Sequence, residues 1–264
     1  MVIVIMKKIH HHFSRIAHRY RSLRTTDLEP ILFIQKKLQG KPKIVAADVG
    51  CGAGRYDLKL FQHLGKKLFL YCVDANEEML KHLEDFLVKH EIGKFKIIKA
   101  STEKIPLADN SLDCIFTFNA IHHFKPLDFL RESSRTLEDS GYLFIYTRLR
   151  SQNRRSIWGR YFPLFNEKET RLYELDELES LLTEIPQLNI GSIEYFKYSR
   201  LASLDWLVNQ AQQYHYSTFC LYTKKEFGQS LEKFKQNIQK NFEDLKKISW
   251  FDENVLLVIK KQTD

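Results

Sequence analysis

The sequence predicts an α/β fold built on a doubly wound parallel sheet. Five apolar strands alternate with helices between residues 44 and 147, and each strand is continuously apolar rather than alternating with polar residues. Such strands are typical of a sheet that helices cover on both faces. The 264 residues, 44% of them hydrophobic, suffice either for one large domain of this kind or for one domain with an appendage.

The elements follow in a regular order after a helical region over about residues 10–40, which Gly40 ends. The predicted strands cover residues 44–49, 68–73, 95–98, 112–118 and 142–147. The predicted helices between them cover residues 56–64, 77–90 and 127–137.

The regular alternation of strands and helices ends after Thr147. A helix over 168–185, a strand over 190–198, two helical stretches within 201–248 and a last strand over 255–259 are predicted. In the second stretch apolar residues recur every three or four positions, which predicts an amphipathic helix packed as a lid. The predicted organisation is therefore an N-terminal helical cap (1–42), a core (43–198), a helical lid insertion (199–250) and a final strand with a tail (251–264).

Composition indicates the compartment. None of Cys51, Cys72, Cys114 and Cys220 forms a CxxC pair, which favours a reducing environment and excludes a zinc knuckle. No signal peptide is recognisable, and no stretch approaches the roughly 18 apolar residues of a membrane span. We expect a cytoplasmic protein with no membrane partner. The net charge of +8 leaves an anionic partner such as RNA open.

A glycine-rich turn carries the strongest functional signal. Gly50, Gly52 and Gly54 follow the first strand directly, Asp48 precedes them, and Asp74 ends the second strand. A carboxylate placed there can accept both hydroxyls of a ribose. Dinucleotide sites have the spacing G-x-G-x-x-G, which receives a pyrophosphate, whereas this chain has G-x-G-x-G. A nucleoside ligand without pyrophosphate fits better.

This turn, Asp74, the stretch from Ser111 to Phe124 and the segments 129–137 and 141–146 resemble the class I S-adenosylmethionine-dependent methyltransferases (type 11-like). The resemblance covers about residues 40–150. It implies a seven-stranded, mostly parallel Rossmann-like sheet, with the final strand antiparallel. It also implies a methyltransferase whose cofactor is S-adenosylmethionine and whose product is S-adenosylhomocysteine.

Position by position, the resemblance implies a cofactor site. Its residues would be Asp48, Gly50, Cys51, Gly52, Gly54, Asp74, Ala75, Asn76, Met79, Ser101, Thr102, Asn119 and Ala120. Asp74 would bind the ribose, and Ser101 and Thr102 would meet the adenine. Relatives often carry an acidic residue where Ser101 stands.

Methyl transfer needs an acceptor held in line with the departing sulfur, and it needs a general base only if the acceptor is protonated. His122 and His123, just beyond the fourth strand, are the candidate catalytic residues nearest the expected methyl group, followed by Tyr20. The consecutive His10, His11 and His12 are predicted to be a surface run without a metal, since neighbouring helical residues diverge by about 100°.

The acceptor stays open. After the fifth strand, Arg148, Arg154, Arg155 and Trp158 are candidate substrate-binding residues, because arginines beside aromatic rings can bind phosphates and stack on bases. An enclosed small molecule ranks first, because a lid-sized insertion is present without a recognisable RNA-binding module. A tRNA or rRNA base is the alternative, and a cofactor-binding regulator without catalysis is the third.

Overall fold

A seven-stranded sheet organises the chain, which the computed structural model describes over residues 2–263, with side chains described from residue 7 onward. The strands are β1 (Ile44–Val49), β2 (Leu68–Asp74), β3 (Phe95–Lys99), β4 (Leu112–Phe118), β5 (Leu137–Thr147), β6 (Leu188–Ala202) and β7 (Ile248–Lys261). Their order in the sheet is β3-β2-β1-β4-β5-β7-β6. The predicted α/β class and the seven-stranded, mostly parallel sheet are confirmed.

The directions of the strands indicate which edge of the sheet is expected to bind a ligand. β1 pairs in parallel with both β2 and β4, β2 with β3, and β4 with β5, while β7 runs antiparallel to β5. The chain order reverses at β1, between β2 and β4. In such sheets ligands bind beyond the carboxyl ends of the strands at this reversal.

Helices connect the strands. They are α1 (Val2–Ile16), α2 (Tyr20–Leu23), α3 (Glu29–Lys37), α4 (Asp57–Leu64), α5 (Glu77–Lys89), α6 (Pro126–Thr136), α7 (Arg150–Arg155), α8 (Ile157–Tyr161), α9 (Phe165–Lys168), α10 (Leu175–Thr183), α11 (Leu204–Gln212) and α12 (Lys224–Asn241). None of the helices within residues 2–263 has the length and apolar character needed to cross a bilayer.

Both faces of the central strands are buried. Ala46 and Phe116 belong to one apolar core together with residues of α3, α4 and α5. Their strand neighbours Ala47 and Ile115 point to the opposite face, since side chains alternate along a strand, and both have an exposed fraction of 0%. This two-sided burial is the physical reason that the strands are continuously apolar.

The chain divides into two compact units. The helical unit consists of Met1–Arg24, Arg148–Glu174 and Lys197–Asn254. The sheet unit consists of Thr25–Thr147, Leu175–Phe196 and Val255–Asp264. This division differs from the predicted boundaries at both ends of the core. Residues 25–42 belong to the sheet unit because Ile31, Ile34 and Leu38 enter its core.

An aromatic cluster forms the core of the helical unit. Trp158 stacks on Phe234 with ring centroids 5.2 Å apart, and Phe162 meets Phe219 at 4.9 Å. The predicted amphipathic helix is confirmed as α12, which buries Phe227, Leu231, Phe234 and Ile238.

The predicted helical region over about residues 10–40 is confirmed as a series of helices, and one prediction within it is wrong. The helical region over 10–40 is broken into α1, a 3₁₀ turn, α2 and α3. The three histidines are not a surface run throughout, because His12 has an exposed fraction of only 2%. His12 lies three residues after Ile9 and four before Ile16, and therefore shares their buried helix face.

Candidate functional site

The glycine-rich turn leaves the carboxyl end of β1 and crosses the end of β2. The backbone N–H groups of Gly50 and Cys51 donate to the carbonyl of Val73, at 2.8 and 3.2 Å. Gly50, Gly52 and Gly54 have φ values of 77°, 56° and 81°, a region that side chains with a Cβ rarely adopt. The turn is therefore specified locally by its glycines and fixed to the sheet by hydrogen bonds.

Gly50 also meets the segment that follows β4. A Cβ on Gly50 would lie 2.6 Å from the Cβ of Ala120 and 2.8 Å from Cζ of Phe124. Only a residue without a side chain allows this approach. The predicted cofactor residues Gly50 and Ala120 are thus neighbours at the carboxyl edge of the sheet.

Asp74 lies at the same edge of the sheet, as the last residue of β2. One carboxylate oxygen accepts from the backbone N–H of Gly52 at 2.9 Å, and the other accepts from that of Asn76 at 2.8 Å. The Asn76 side chain caps α5 by accepting from Met79 N at 3.1 Å. These bonds hold the Asp74 carboxylate, which is half-buried, beside the glycine turn.

Three carboxyl groups lie near one another under the turn. Asp48 and Asp57 have exposed fractions of 1% and 0%. Burial, together with the nearby charges of Asp57 and Asp74, raises the pKa of Asp48 well above its usual range. Burial raises the pKa of Asp57 to about 7, against a lowering effect of the hydrogen bond from the Cys72 thiol, with Sγ 3.3 Å from Oδ1. Oδ1 of Asp48 has no hydrogen-bond partner among the described residues.

This arrangement predicts that stability depends on pH through Asp57. The pKa of Asp57 is higher folded than unfolded, so the folded state binds more protons and stability falls as pH rises from about 4 to about 7. Asp57→Asn keeps an acceptor for Cys72 but cannot ionise. We expect its unfolding free energy, relative to the parent, to increase by about 2 kcal/mol between about pH 5 and about pH 8.

Urea unfolding at the two pH values measures this change. Asp85→Asn, which alters an exposed carboxylate on α5, is the matched control and should show a constant difference from the parent. A difference for Asp57→Asn that does not change with pH would contradict the raised pKa.

The candidate catalytic histidines follow β4. Asn119 has a φ of 54°, and its N–H donates to the carbonyl of Tyr146 at 2.7 Å. His122 and His123 then form a short 3₁₀ turn with ring centroids 4.1 Å apart, and both rings are half-buried. The two rings therefore stay the candidate general bases of the predicted site.

The remaining predicted residues of the cofactor site follow β2 and β3 in the sequence. Ala75 is exposed and Met79 is buried at the start of α5. Ser101 is exposed just after β3 and Thr102 is half-buried. The pKa of Glu103 is lowered, chiefly by a hydrogen bond from Lys125 and further by one from the Ser101 hydroxyl. An acid therefore stands two residues beyond the serine.

Other predicted residues belong to the helical unit. These are Tyr20, Arg148, Arg154, Arg155 and Trp158. Arg148 forms an ion pair with Asp252 at 3.1 Å, Arg155 with Glu253 at 2.6 Å, and Arg154 is exposed. Trp158 has an exposed fraction of 3% within the aromatic cluster, so its ring faces core side chains rather than solvent.

Sequence reasoning missed Asp57 and Tyr56. Tyr56 stacks on Phe118 at the end of β4, with ring centroids 4.2 Å apart. The available signal was a carboxylate three residues after Gly54, at the start of a helix that buries Leu58, Leu60, Phe61 and Leu64. An acid in the first helical turn is read more readily as support for the helix dipole.

Comparisons with known proteins agree with this geometry. Residues 47–145 match the family described as "Methyltransferase domain". A Mycobacterium tuberculosis protein named "Probable S-adenosylmethionine-dependent methyltransferase" is 30% identical over 169 residues, covering 62% of this chain. The chain spans 57% of the length of that relative.

Two further proteins extend the comparison. A ubiquinone/menaquinone biosynthesis C-methyltransferase of Azotobacter vinelandii is 26% identical over 121 residues, covering 45% of this chain and 47% of its own. A solved structure of a Bacillus halodurans protein superposes on this chain with a TM-score of 0.64 at 18% sequence identity. The match covers 90% of this chain and 100% of the other, so the two proteins share a fold. Together with the strand order and the glycine turn, these matches show that residues 47–145 are similar to a methyltransferase domain and that the fold is shared with the Bacillus halodurans structure.

Proposed function

We propose that this chain binds S-adenosylmethionine at the carboxyl ends of β1, β2 and β4 and transfers its methyl group to a small organic acceptor, leaving S-adenosylhomocysteine. The observation that carries the proposal is the convergence of the Asp74 carboxylate and the Gly50–Gly54 turn, joined by the bond from Gly52 N to Asp74. A carboxylate at this place accepts the two ribose hydroxyls of a nucleoside.

The residues present fit this cofactor. The carboxyl group of Asp48 is buried, and its Oδ1 lacks a hydrogen-bond partner among the described residues. A cationic group such as the methionyl ammonium would supply the missing partner and favour the ionised carboxylate. Gly50, Gly52 and Gly54 let the backbone approach the ligand closely, and no third glycine stands where a pyrophosphate site needs one.

The cofactor supplies a methyl group already activated on a sulfonium. The chain's residues then have to bind, orient and exclude water. Asp74 and the glycine turn would fix the nucleoside, while Asn119 and Ala120 would border the reacting end. Either His122 or His123 would accept the proton of an oxygen, nitrogen or carbon acid as it is methylated. We assign these roles to the residues by their positions after β1, β2 and β4.

Two points favour a small acceptor over RNA. The described residues 2–263 include no recognisable RNA-binding module beside the sheet unit. The Azotobacter relative is named for ubiquinone and menaquinone biosynthesis. Against this stand the net charge of +8 and the exposed Arg154, which keep a tRNA or rRNA base as the second candidate.

Radiolabelled methyl transfer into a fractionated lysate tests the acceptor. We expect the label in the small-molecule fraction, and none when the protein is omitted or excess S-adenosylhomocysteine is added. Label in the RNA fraction would overturn the small acceptor but keep methyl transfer. Cofactor binding without label in any fraction would favour a regulator that does not catalyse.

The RNA alternative makes its own prediction. Binding of bulk tRNA would weaken steeply with salt, and Arg154→Ala/Arg155→Ala would make that dependence shallower, since fewer counterions are released. We expect no tRNA retention at low salt, as filter binding measures. Strong retention with the shallower slope in the variant would favour RNA.

A further inference from the structure

The helical unit holds arginines that no carboxylate neutralises. Arg15, Arg19 and Arg24 form no ion pair with an acidic side chain anywhere in the described chain. By contrast, Arg171 pairs with Glu169 and Arg148 pairs with Asp252 in the same unit. The first three therefore contribute net positive charge.

A buried histidine lies among these charges. His12 has an exposed fraction of 2%, and neither of its ring nitrogens has a hydrogen-bond partner among the described residues. Burial lowers the pKa of His12 to about 4, with further lowering by the charges of Arg15, Arg171, Arg24 and Arg19. Leaving buried polar nitrogens unpaired is unfavourable, so a missing partner is indicated.

One segment orients two of the arginines. Nη1 of Arg24 donates to the carbonyl of His215 at 3.1 Å, and its guanidinium lies 4.1 Å from the ring centre of Tyr216. Arg19 reaches the Gln213 side chain at 3.5 Å, and its Nε is buried without a partner. The guanidinium groups are thus held against residues 213–216 instead of extending freely into water.

Unneutralised guanidinium groups beside a buried imidazole require acceptors with negative charge. An oxyanion accepts from guanidinium forks and from an imidazole N–H, and it meets both deficits at once. We propose that the helical unit contains a binding site for a small oxyanion, a carboxylate or a phosphate, formed by Arg19 and Arg24 with His12. Its residues belong to the helical unit, whereas the residues of the proposed cofactor site belong to the sheet unit.

Titration calorimetry of the full chain tests the proposal with sulfate, inorganic phosphate and succinate as probes. We expect one-to-one binding, and a loss of about tenfold or more in Arg19→Ala/Arg24→Ala. Arg160→Ala/Lys225→Ala removes the same charge from exposed positions of the helical unit and should stay within about twofold. Tighter phosphate than succinate would identify a phosphate ligand, and the reverse would identify a carboxylate.

A pH series with sulfate, whose own charge stays constant, supplies a second readout. A bound anion favours charged His12 against the repulsion of Arg15, Arg19, Arg24 and Arg171 and of His215, which lies nearby. Sulfate affinity should therefore rise as pH falls from about 7 to about 5, and His12→Asn should flatten that rise.

Absence of binding, equal loss in the control pair, or unchanged affinity in the double variant would each overturn the proposal. Circular dichroism checks that the variants fold. If the double variant does not fold, Arg24→Lys tests the proposal instead, because lysine keeps the positive charge but lacks the planar guanidinium group. We expect it to lose several-fold affinity, and unchanged affinity would overturn the proposal.

Discussion

Replacing Asp74 by alanine should abolish measurable binding of S-adenosylmethionine. The carboxylate would accept two ribose hydroxyls, and charge-assisted hydrogen bonds contribute about 1.5–3 kcal/mol each, so affinity should fall by about a hundredfold or more. The substitution also removes the acceptor for Gly52 N, which now holds the turn at 2.9 Å. Calorimetry with S-adenosylhomocysteine measures the loss without turnover.

Two variants separate the contributions. Asp74→Asn keeps one acceptor oxygen for the turn and should bind more weakly than the parent but better than alanine. Asp85→Ala, on the exposed surface of α5, removes the same charge and should bind as the parent does. If Asp74→Ala keeps its affinity, the ribose is bound elsewhere and the cofactor site is wrongly assigned.

Gly50→Ala should destabilise the sheet unit strongly. An added Cβ would sit 2.6 Å from Ala120 Cβ and 2.8 Å from Phe124 Cζ, and φ at this residue is 77°. Strain of the positive φ costs about 1–2 kcal/mol, and overpacking adds about 1–3 kcal/mol. We expect a loss of about 2–5 kcal/mol in urea unfolding, with weaker cofactor binding.

The neighbouring residue provides a direct check on the cause. Ala120→Gly in the Gly50→Ala background removes the contacted methyl group and should restore part of the lost stability. Gly93→Ala is the matched control, since its Cβ would meet nothing within 4 Å and its φ is not positive. Equal losses at Gly50 and Gly93, or no restoration by Ala120→Gly, would contradict the steric explanation.

The sheet unit was predictable because its signals are local. The central strands β1, β2 and β4 are rich in apolar residues, the glycine turn directly follows β1, and Asp74 ends β2. Parallel strands then bring these ends to one edge, so residues distant in sequence meet without further information. The position of β7 beside β5 was predicted only from the resemblance to the methyltransferase family, because nothing in the residues of β7 indicates which strand it pairs with.

The helical unit could not be predicted in the same way. The sequence alone suggests that the Trp158 ring is available to a ligand. In the structure, however, Phe234 of α12 packs against this ring. His12 reads as one of three surface histidines, because its burial depends on packing of α1 against the 3₁₀ turn at residues 217–221. Asp57 likewise has a raised pKa chiefly because folding buries it, with a smaller contribution from the charge of Asp74 at the end of β2.

The division of the chain has a consequence for its synthesis. The backbone passes between the units five times, at residues 24/25, 147/148, 174/175, 196/197 and 254/255. A ribosome that has reached residue 240 has therefore produced neither unit in full, because the whole of β7 and residues 241–247 before it are still to come. Folding intermediates with apolar strand edges should persist until then, and a nascent chain stalled before residue 255 should be a better chaperone client than the finished one.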